Sequence, residues 1–379
     1  MKTIDKLTSY RLNSLDALRG FNMFWIIGAE RIVHVLNQMN LPGTRLLAVQ
    51  LRHTRWNGFT FYDLIFPMFI FLVGVSATFS VRRSRELGKT NRVIRQRIFS
   101  RTIKLFLLGL LVNNLGLSPD QWVENIRWMG VLQRIALCYC GTALLQLYVK
   151  PRYQAVWAGG LLVGYWLLIS RVAVPGHEVA VLNYPGANIT NYIDNLLLPG
   201  RLYYQTWDPE GLLSTIPAIA TCLLGSLTGY WLNGKSKNKE KTVVNAKKLI
   251  VLMIVGLLML ALGIFWGMFF PINKKIWTSS FVLLTAGLSA VMMGLFYWLI
   301  DIRGQQKWAF PFIIIGRNAI FSYLLANLVP FRAITAWLVE RRFMANFGLG
   351  RYLLAGIFIL LSEWLIIYFM YRRKLFLKL

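Results

Sequence analysis

Apolar and polar residues fall along the chain in long blocks. Runs of about 20 mostly apolar residues, the length that crosses a bilayer as helix, recur between short charged connectors. The pattern predicts about ten membrane-spanning helices: Ser14–His34, Thr60–Ser80, Thr102–Leu117, Trp128–Val149, Ala155–Val174, Gly211–Asn233, Leu249–Phe270, Thr278–Ile300, Phe310–Phe331 and Tyr352–Tyr371. The expected fold is an all-α polytopic membrane protein, a bundle read as one domain over residues 1–379. No soluble domain is left over, since the longest connector is Pro175 to Glu210 and Gly234–Lys248 is a basic linker.

Charge changes the picture. The net charge is +27 over 379 residues, and alone it would suggest nucleic acid. Only 15% of residues are charged, 56% are hydrophobic and the mean hydropathy is +0.51, which excludes an ordinary soluble basic domain. Alternate connectors carry about 26 of the 42 Lys and Arg, and the positive-inside rule assigns that richer set to the cytoplasm. Both termini, N and C, are then expected to be cytoplasmic, as an even number of spans requires. Cys138, Cys140 and Cys222 all lie in apolar runs and give no disulfide framework. No P-loop, H-E-x-x-H or C-x-x-C motif is present, and three scattered histidines offer no metal site.

The informative residues are polar ones inside or beside spans, where an ionised side chain costs about 2.5–3.5 kcal/mol. Asp16 and Arg19 open the first span and suit either a helix-start pair or a site. Glu30 near its outer end suits an interfacial position or a buried proton carrier, with Arg31 pointing elsewhere on the helix. His53 lies in His53-Thr-Arg-Trp-Asn-Gly58, where Trp56-Asn57-Gly58 reads as a turn and Thr60-Phe-Tyr-Asp63 as a capping box. Asp63 has that cap as its alternative to direct chemistry. Asp208-Pro-Glu-Gly211 is a helix-start signal whose carboxylates can also face a cationic substrate. Arg127 and Arg134 flank the start of the fourth span. Arg317-Asn318 interrupt the ninth and Glu363 the tenth. Arg317 suits either an ion pair with Glu363 or, like Arg127 and Arg134, a phosphate clamp.

Several segments together resemble the transmembrane acetyltransferases related to lysosomal heparan-α-glucosaminide N-acetyltransferase. They are Arg11 to Gly20, His53 to Pro67 with Phe69 to Gly74, Gly130-Val-Leu-Gln-Arg134, Asp208-Pro-Glu-Gly211, Pro271 to Trp277, and Gly316-Arg-Asn318. The chain looks like a short bacterial member without the large luminal domain of the animal enzyme. The resemblance implies transfer of acetyl from cytosolic acetyl-CoA to the amine of a terminal glucosamine across a membrane. It places the catalytic histidine on His53. A second catalytic position, asparagine in the animal enzyme, falls by ungapped count from Asp16 on Glu30. A His-Glu pair of the animal enzyme is matched here by Ala326-Asn327, so its role is not carried over. A homodimer in the bacterial inner membrane is implied as well.

On that basis CoA phosphates are expected on Arg127, Arg134, Arg317, Asn318 and Arg19, with no metal. His53 is expected as general base or as acetyl-accepting nucleophile. Glu30 orients the ring or takes the amine's proton, and Asn57 donates to the oxyanion. Asp208, Glu210, Asp63 and Asp16 are expected to hold the cationic amino sugar. The competing function is transport of N-acetylglucosamine or a related sugar, which the intramembrane charges also suit.

Overall fold

The computed structural model describes residues 12–233, 241–330 and 347–377, with short pieces at 333–334 and 336–337. Among the described residues the structure is helical and has no strands. The helices used below are α1 (Asn13–Phe24), α2 (Glu30–Gln38), α3 (Phe61–Glu86), α4 (Asn91–Asn113), α5 (Val131–Tyr148), α6 (Pro151–Arg171) and α7 (Ile189–Leu197). They continue as α8 (Leu212–Leu232), α9 (Lys241–Gly267), α10 (Ser279–Phe296), α11 (Phe310–Arg317), α12 (Ala319–Leu328) and α13 (Gly350–Arg372).

Each of the ten expected segments is helical, but fewer than ten meet the requirements of a span. Six helices among the described residues are long and apolar enough: α3, α6, α8, Asn245–Gly267 of α9, Ser279–Ile302 and α13. The pair α11 and α12 would make a seventh. Expected as one straight span, that pair is bent by 79° at Asn318, which has φ −123° and ψ 33° and so leaves the helical region. The segment expected over Ser14–His34 is also interrupted, by a π-turn at Trp25–Ala29 where Gly28 takes φ 133°. Only glycine adopts that conformation without strain. α4 carries Arg92, Arg95, Arg97, Arg101 and Lys104, which makes it too polar to bury in lipid as a whole.

The residues cluster into two compact units. In the unit made of Met1–Ala48, Glu240–Leu249 and Met292–Lys378, α1 packs on α11. The contact is backbone to backbone. A Cβ on Gly20 would strike the carbonyl of Phe312, and one on Gly316 that of Asp16. In the unit made of Val49–Lys239 and Ile250–Val291, α3 packs on α8 in the same way. Gly74 lies on the Cys222 carbonyl and Gly225 on the Phe71 carbonyl. Small residues that let backbones meet are the usual means of packing helices where lipid supplies no hydrophobic drive. α3 is mostly buried, whereas α9 exposes Ile250, Ile254, Leu257, Leu258 and Phe265. α3 therefore forms the centre of this unit and α9 presents an apolar outer face.

Candidate active site

Within the second unit, hydrogen bonds gather the residues that precede α3, α5, α8 and α10: Gly58 N–H meets the Ile272 carbonyl, Asn57 meets Asn183 and Asn273, and Arg127 meets Asp208. The loops between them carry the polar residues. Thr60 caps α3, and Asp63 closes the capping box by accepting from Thr60 N (3.3 Å) and Thr60 Oγ1 (3.0 Å) on Oδ2. The same oxygen takes Thr54 N (3.3 Å) and Thr54 Oγ1 (3.2 Å). Its other oxygen, Oδ1, lies 2.7 Å from His53 Nδ1. A buried carboxylate thus uses one oxygen to hold a helix start and the other to hold an imidazole. The ring is further fixed by Tyr62, whose centroid is 4.7 Å away. The turn after it is completed by Gly58 at φ 116°, whose N–H donates to the Ile272 carbonyl at 2.8 Å.

Lys274 joins this pair from the loop between α9 and α10. Its Nζ is 3.0 Å from His53 Nδ1, 3.3 Å from His53 Nε2 and 3.4 Å from Asp63 Oδ1. Asn273 shapes the turn that presents it. Asn273 Oδ1 accepts from the N–H groups of Lys275 (2.7 Å) and Ile276 (3.1 Å), and Nδ2 donates to Asn57 Oδ1 (2.9 Å). Asn57 in turn donates to Asn183 Oδ1 at 3.0 Å. Its amide therefore ties three loops together.

Burial pulls the His53 pKa below 6.5. The hydrogen bond to Asp63 opposes that shift and the Lys274 charge adds to it. The ring is thus neutral at neutral pH. With Nδ1–H donated to Asp63, the lone pair sits on Nε2. Burial also lowers Lys274, to about 8, against the pull of Asp63 and Glu210.

Beside these residues lies a second cluster around the start of α8. Arg127 donates from Nε to Asp208 Oδ2 (2.7 Å), and from Nη2 to Asp208 Oδ1 (2.8 Å) and Glu210 Oε2 (2.8 Å). Arg127 was expected on phosphates and the two carboxylates on an ammonium. They are instead one another's partners, in the bidentate geometry that guanidinium and carboxylate favour. Asp208 is buried, and its oxygens also accept from Tyr203 N and Glu210 N, so it has no free edge for a sugar. Asp63, committed to His53 and to its cap, has none either. Arg134 is fully buried, gives Nη2 to Ser214 Oγ and the Gly211 carbonyl, and lies over the Trp277 ring at 4.9 Å. Its Nε and Nη1 have no hydrogen-bond partner.

Asp194 on α7 completes the cluster. Its Oδ1 accepts from Leu212 N at 2.8 Å, and its carboxylate occupies the space a Cβ on Gly211 would need. Burial pushes its pKa up to about 7.

The remaining expected site residues belong to the other unit. Arg19 Nη1 is 3.4 Å from Asp16 Oδ1 and 3.3 Å from the Gly316 carbonyl, and Arg317 Nε is 3.6 Å from Asp16 Oδ2. Arg317 thus pairs with Asp16 and not with Glu363, which is buried with neither oxygen hydrogen-bonded. Asp16, buried under two guanidiniums, is not open to a substrate. Asn318 donates to the Leu375 carbonyl (3.0 Å) and accepts from Leu377 N (3.2 Å). Glu30 lies 3.7 Å from Arg31 Nε, so the neighbouring arginine turns toward it rather than away.

The family model for the catalytic region of heparan-α-glucosaminide N-acetyltransferase matches residues 11–262, which include His53, Asp63, Arg127, Asp208 and Glu210. The chain is 27% identical over 420 positions to the heparan-α-glucosaminide N-acetyltransferase of Homo sapiens, covering 97% of this chain and 60% of that protein. It is 27% identical over 380 positions to that of Mus musculus, covering 86% and 56%. The chain therefore spans no more than about three fifths of the length of these relatives. On a match that covers most of its length, the chain belongs to the heparan-α-glucosaminide N-acetyltransferase catalytic family.

Proposed function

We propose that this chain is a membrane acetyltransferase that moves acetyl from cytoplasmic acetyl-CoA to the amine of a glucosamine-type sugar on the extracytoplasmic side. The whole chain acts as one transmembrane domain with both termini cytoplasmic. Family resemblance adds a homodimer in the bacterial inner membrane. The observation that carries the proposal is the His53 ring, held at Nδ1 2.7 Å from Asp63, with Lys274 Nζ beside the ring at 3.0 Å from Nδ1 and 3.3 Å from Nε2. That is the arrangement acyl transfer needs. A carboxylate fixes the tautomer, and the second nitrogen is left with a lone pair for a proton or an acetyl group.

In the direct route His53 Nε2 takes a proton from the sugar ammonium, and the amine attacks the thioester carbonyl. The C–S bond breaks, CoA leaves with that proton, and the second proton shed by the nitrogen as the amide forms passes to solvent. In the relay route Nε2 itself takes the acetyl and passes it on. The direct route is preferred because Lys274 already places an ammonium nitrogen against the ring, where an acceptor amine must sit. The ammonium of Lys274 also disfavours charge on His53, which keeps the ring competent as a base. Glu210 keeps Oε1 outside its contact with Arg127 and is the carboxylate that meets the amino sugar. Arg127 braces it. Asn57 still has a second N–H for the oxyanion.

Arg19, Arg317 and Asn318 are kept as candidates for the CoA phosphates on the sequence resemblance, since arginine suits bidentate phosphate binding. Arg134 offers its unpartnered N–H groups to the cofactor arm. Glu30 is kept as a second proton acceptor on the ungapped correspondence with the family's asparagine. Purified protein given acetyl-CoA and glucosamine should release CoA and N-acetylglucosamine in equal amounts. Sugar flux in liposomes with no acetyl transfer would favour a transporter instead.

A further inference from the structure

We propose that Lys274 is a self-acetylation site, which takes the acetyl group of acetyl-CoA onto Nζ when no sugar acceptor is bound. The inference rests on the acetyltransferase function proposed above. An enzyme that acetylates primary amines carries one of its own beside the catalytic ring. Lys274 Nζ lies 3.0 and 3.3 Å from the two nitrogens of His53. Its backbone is locked by the Asn273 turn, so the amine is presented and not merely nearby. Lys275, the next residue, sends its Nζ to Tyr204 OH at 2.8 Å instead. Two adjacent lysines thus differ in access to the same base.

The step balances. His53 Nε2 takes a proton from the Lys274 ammonium, and the neutral amine attacks the thioester carbonyl. An N–C bond forms and the C–S bond breaks. The CoA sulfur leaves as thiolate and recovers that proton from His53, and the second proton shed by the nitrogen as the amide forms passes to solvent. The product amide is neither basic nor a leaving group, so the acetyl cannot move on. A positive charge beside Asp63 is lost, and the acceptor's place is filled.

Protonation protects the site. The charged groups facing Lys274 are Asp63 and His53 from the α3 side, Glu210 from the start of α8, and Lys275 on its own loop. The two carboxylates favour the ammonium, whereas burial and Lys275 favour the amine. The balance leaves Lys274 titrating near 8, so self-acetylation accelerates as pH rises through that value.

The test uses the full chain, isotope-labelled acetyl-CoA and peptide mass spectrometry, with and without glucosamine, at neutral and alkaline pH. Without glucosamine, Lys274 should acquire the label about 100-fold faster than Lys275, which is the scale of a positioned general base. The labelling should rise with pH, vanish in His53→Ala and be suppressed by glucosamine. Turnover of the native chain should decay on preincubation with acetyl-CoA, whereas Lys274→Arg should keep whatever turnover it starts with. Acetylated glucosamine with Lys274 unlabelled, or labelled no faster than Lys275, overturns the inference and leaves the proposed function standing. If neither amine is acetylated, both are overturned.

Discussion

Asp63→Asn isolates the bond on which the site depends. The substitution preserves shape, and the amide oxygen can still accept from Thr54 and Thr60, which donate to one side of the carboxylate. The cost to folding should therefore be about 1 kcal/mol, the scale of a weakened helix cap. The other side changes chemically. Asparagine presents an N–H to His53 Nδ1, now 2.7 Å from a carboxylate oxygen. Nδ1 must then accept, the proton moves to Nε2, and the lone pair needed for catalysis is gone. A carboxylate-to-amide change that inverts a catalytic tautomer costs about 10⁴-fold, or roughly 5.5 kcal/mol of barrier. Lys274 also contacts the ring and softens the preference, so a loss of about 10³–10⁴-fold in kcat is expected. The assay is acetyl transfer from acetyl-CoA to glucosamine by detergent-purified protein, with thermal unfolding measured in parallel. A folded Asp63→Asn chain that retains native turnover would refute the orienting role of Asp63.

Arg127→Ala leaves Asp208 and Glu210 unpaired in a buried site, so it should cost about 3–5 kcal/mol of stability and lower Tm. A weakened affinity for CoA with Tm unchanged would restore Arg127 as a phosphate ligand. Gly225→Val drives a side chain into the Phe71 carbonyl at the α3–α8 contact. Overpacking there costs at least about 1–3 kcal/mol, and native-like yield and Tm would contradict the close approach. Activity should fall as pH drops through the protonation of His53, which burial places below 6.5. The folded chain disfavours the charged ring, so stability is also lost as pH falls below that unfolded value. An acid limb lying above 6.5 would show that Asp63 outweighs burial and Lys274.

The parts of this structure that sequence made visible are those whose partners are near in the chain. The pairing of His53 with Asp63 spans ten residues, although ring orientation was expected of Glu30 and not of Asp63. Its capping box and glycine turn are local grammar, so a reader of the chain alone can place both side chains at a helix start. The helical segments were equally readable, because each is a contiguous apolar block. Lys274 was not, being 221 residues from His53. It lies in a segment that carries the family resemblance, and nothing in the local pattern tells which of two adjacent lysines faces the ring. Arg127 and Asp208 are separated by 81 residues, and each taken alone looks like a ligand for something outside the protein. The pairing of Asp16 with Arg317 is equally hidden, since an arginine in an apolar run shows a charge without naming its partner in the fold. The bend at Asn318 is invisible in hydropathy, which continues unbroken across it.

The central claim is that His53 carries acetyl transfer in a membrane-embedded chain. Its most direct test is turnover of His53→Ala in proteoliposomes, with acetyl-CoA supplied on one face and glucosamine on the other. Native protein should form N-acetylglucosamine on the glucosamine side, and His53→Ala should form none while still binding CoA. Product formation by His53→Ala at a native rate would contradict the account.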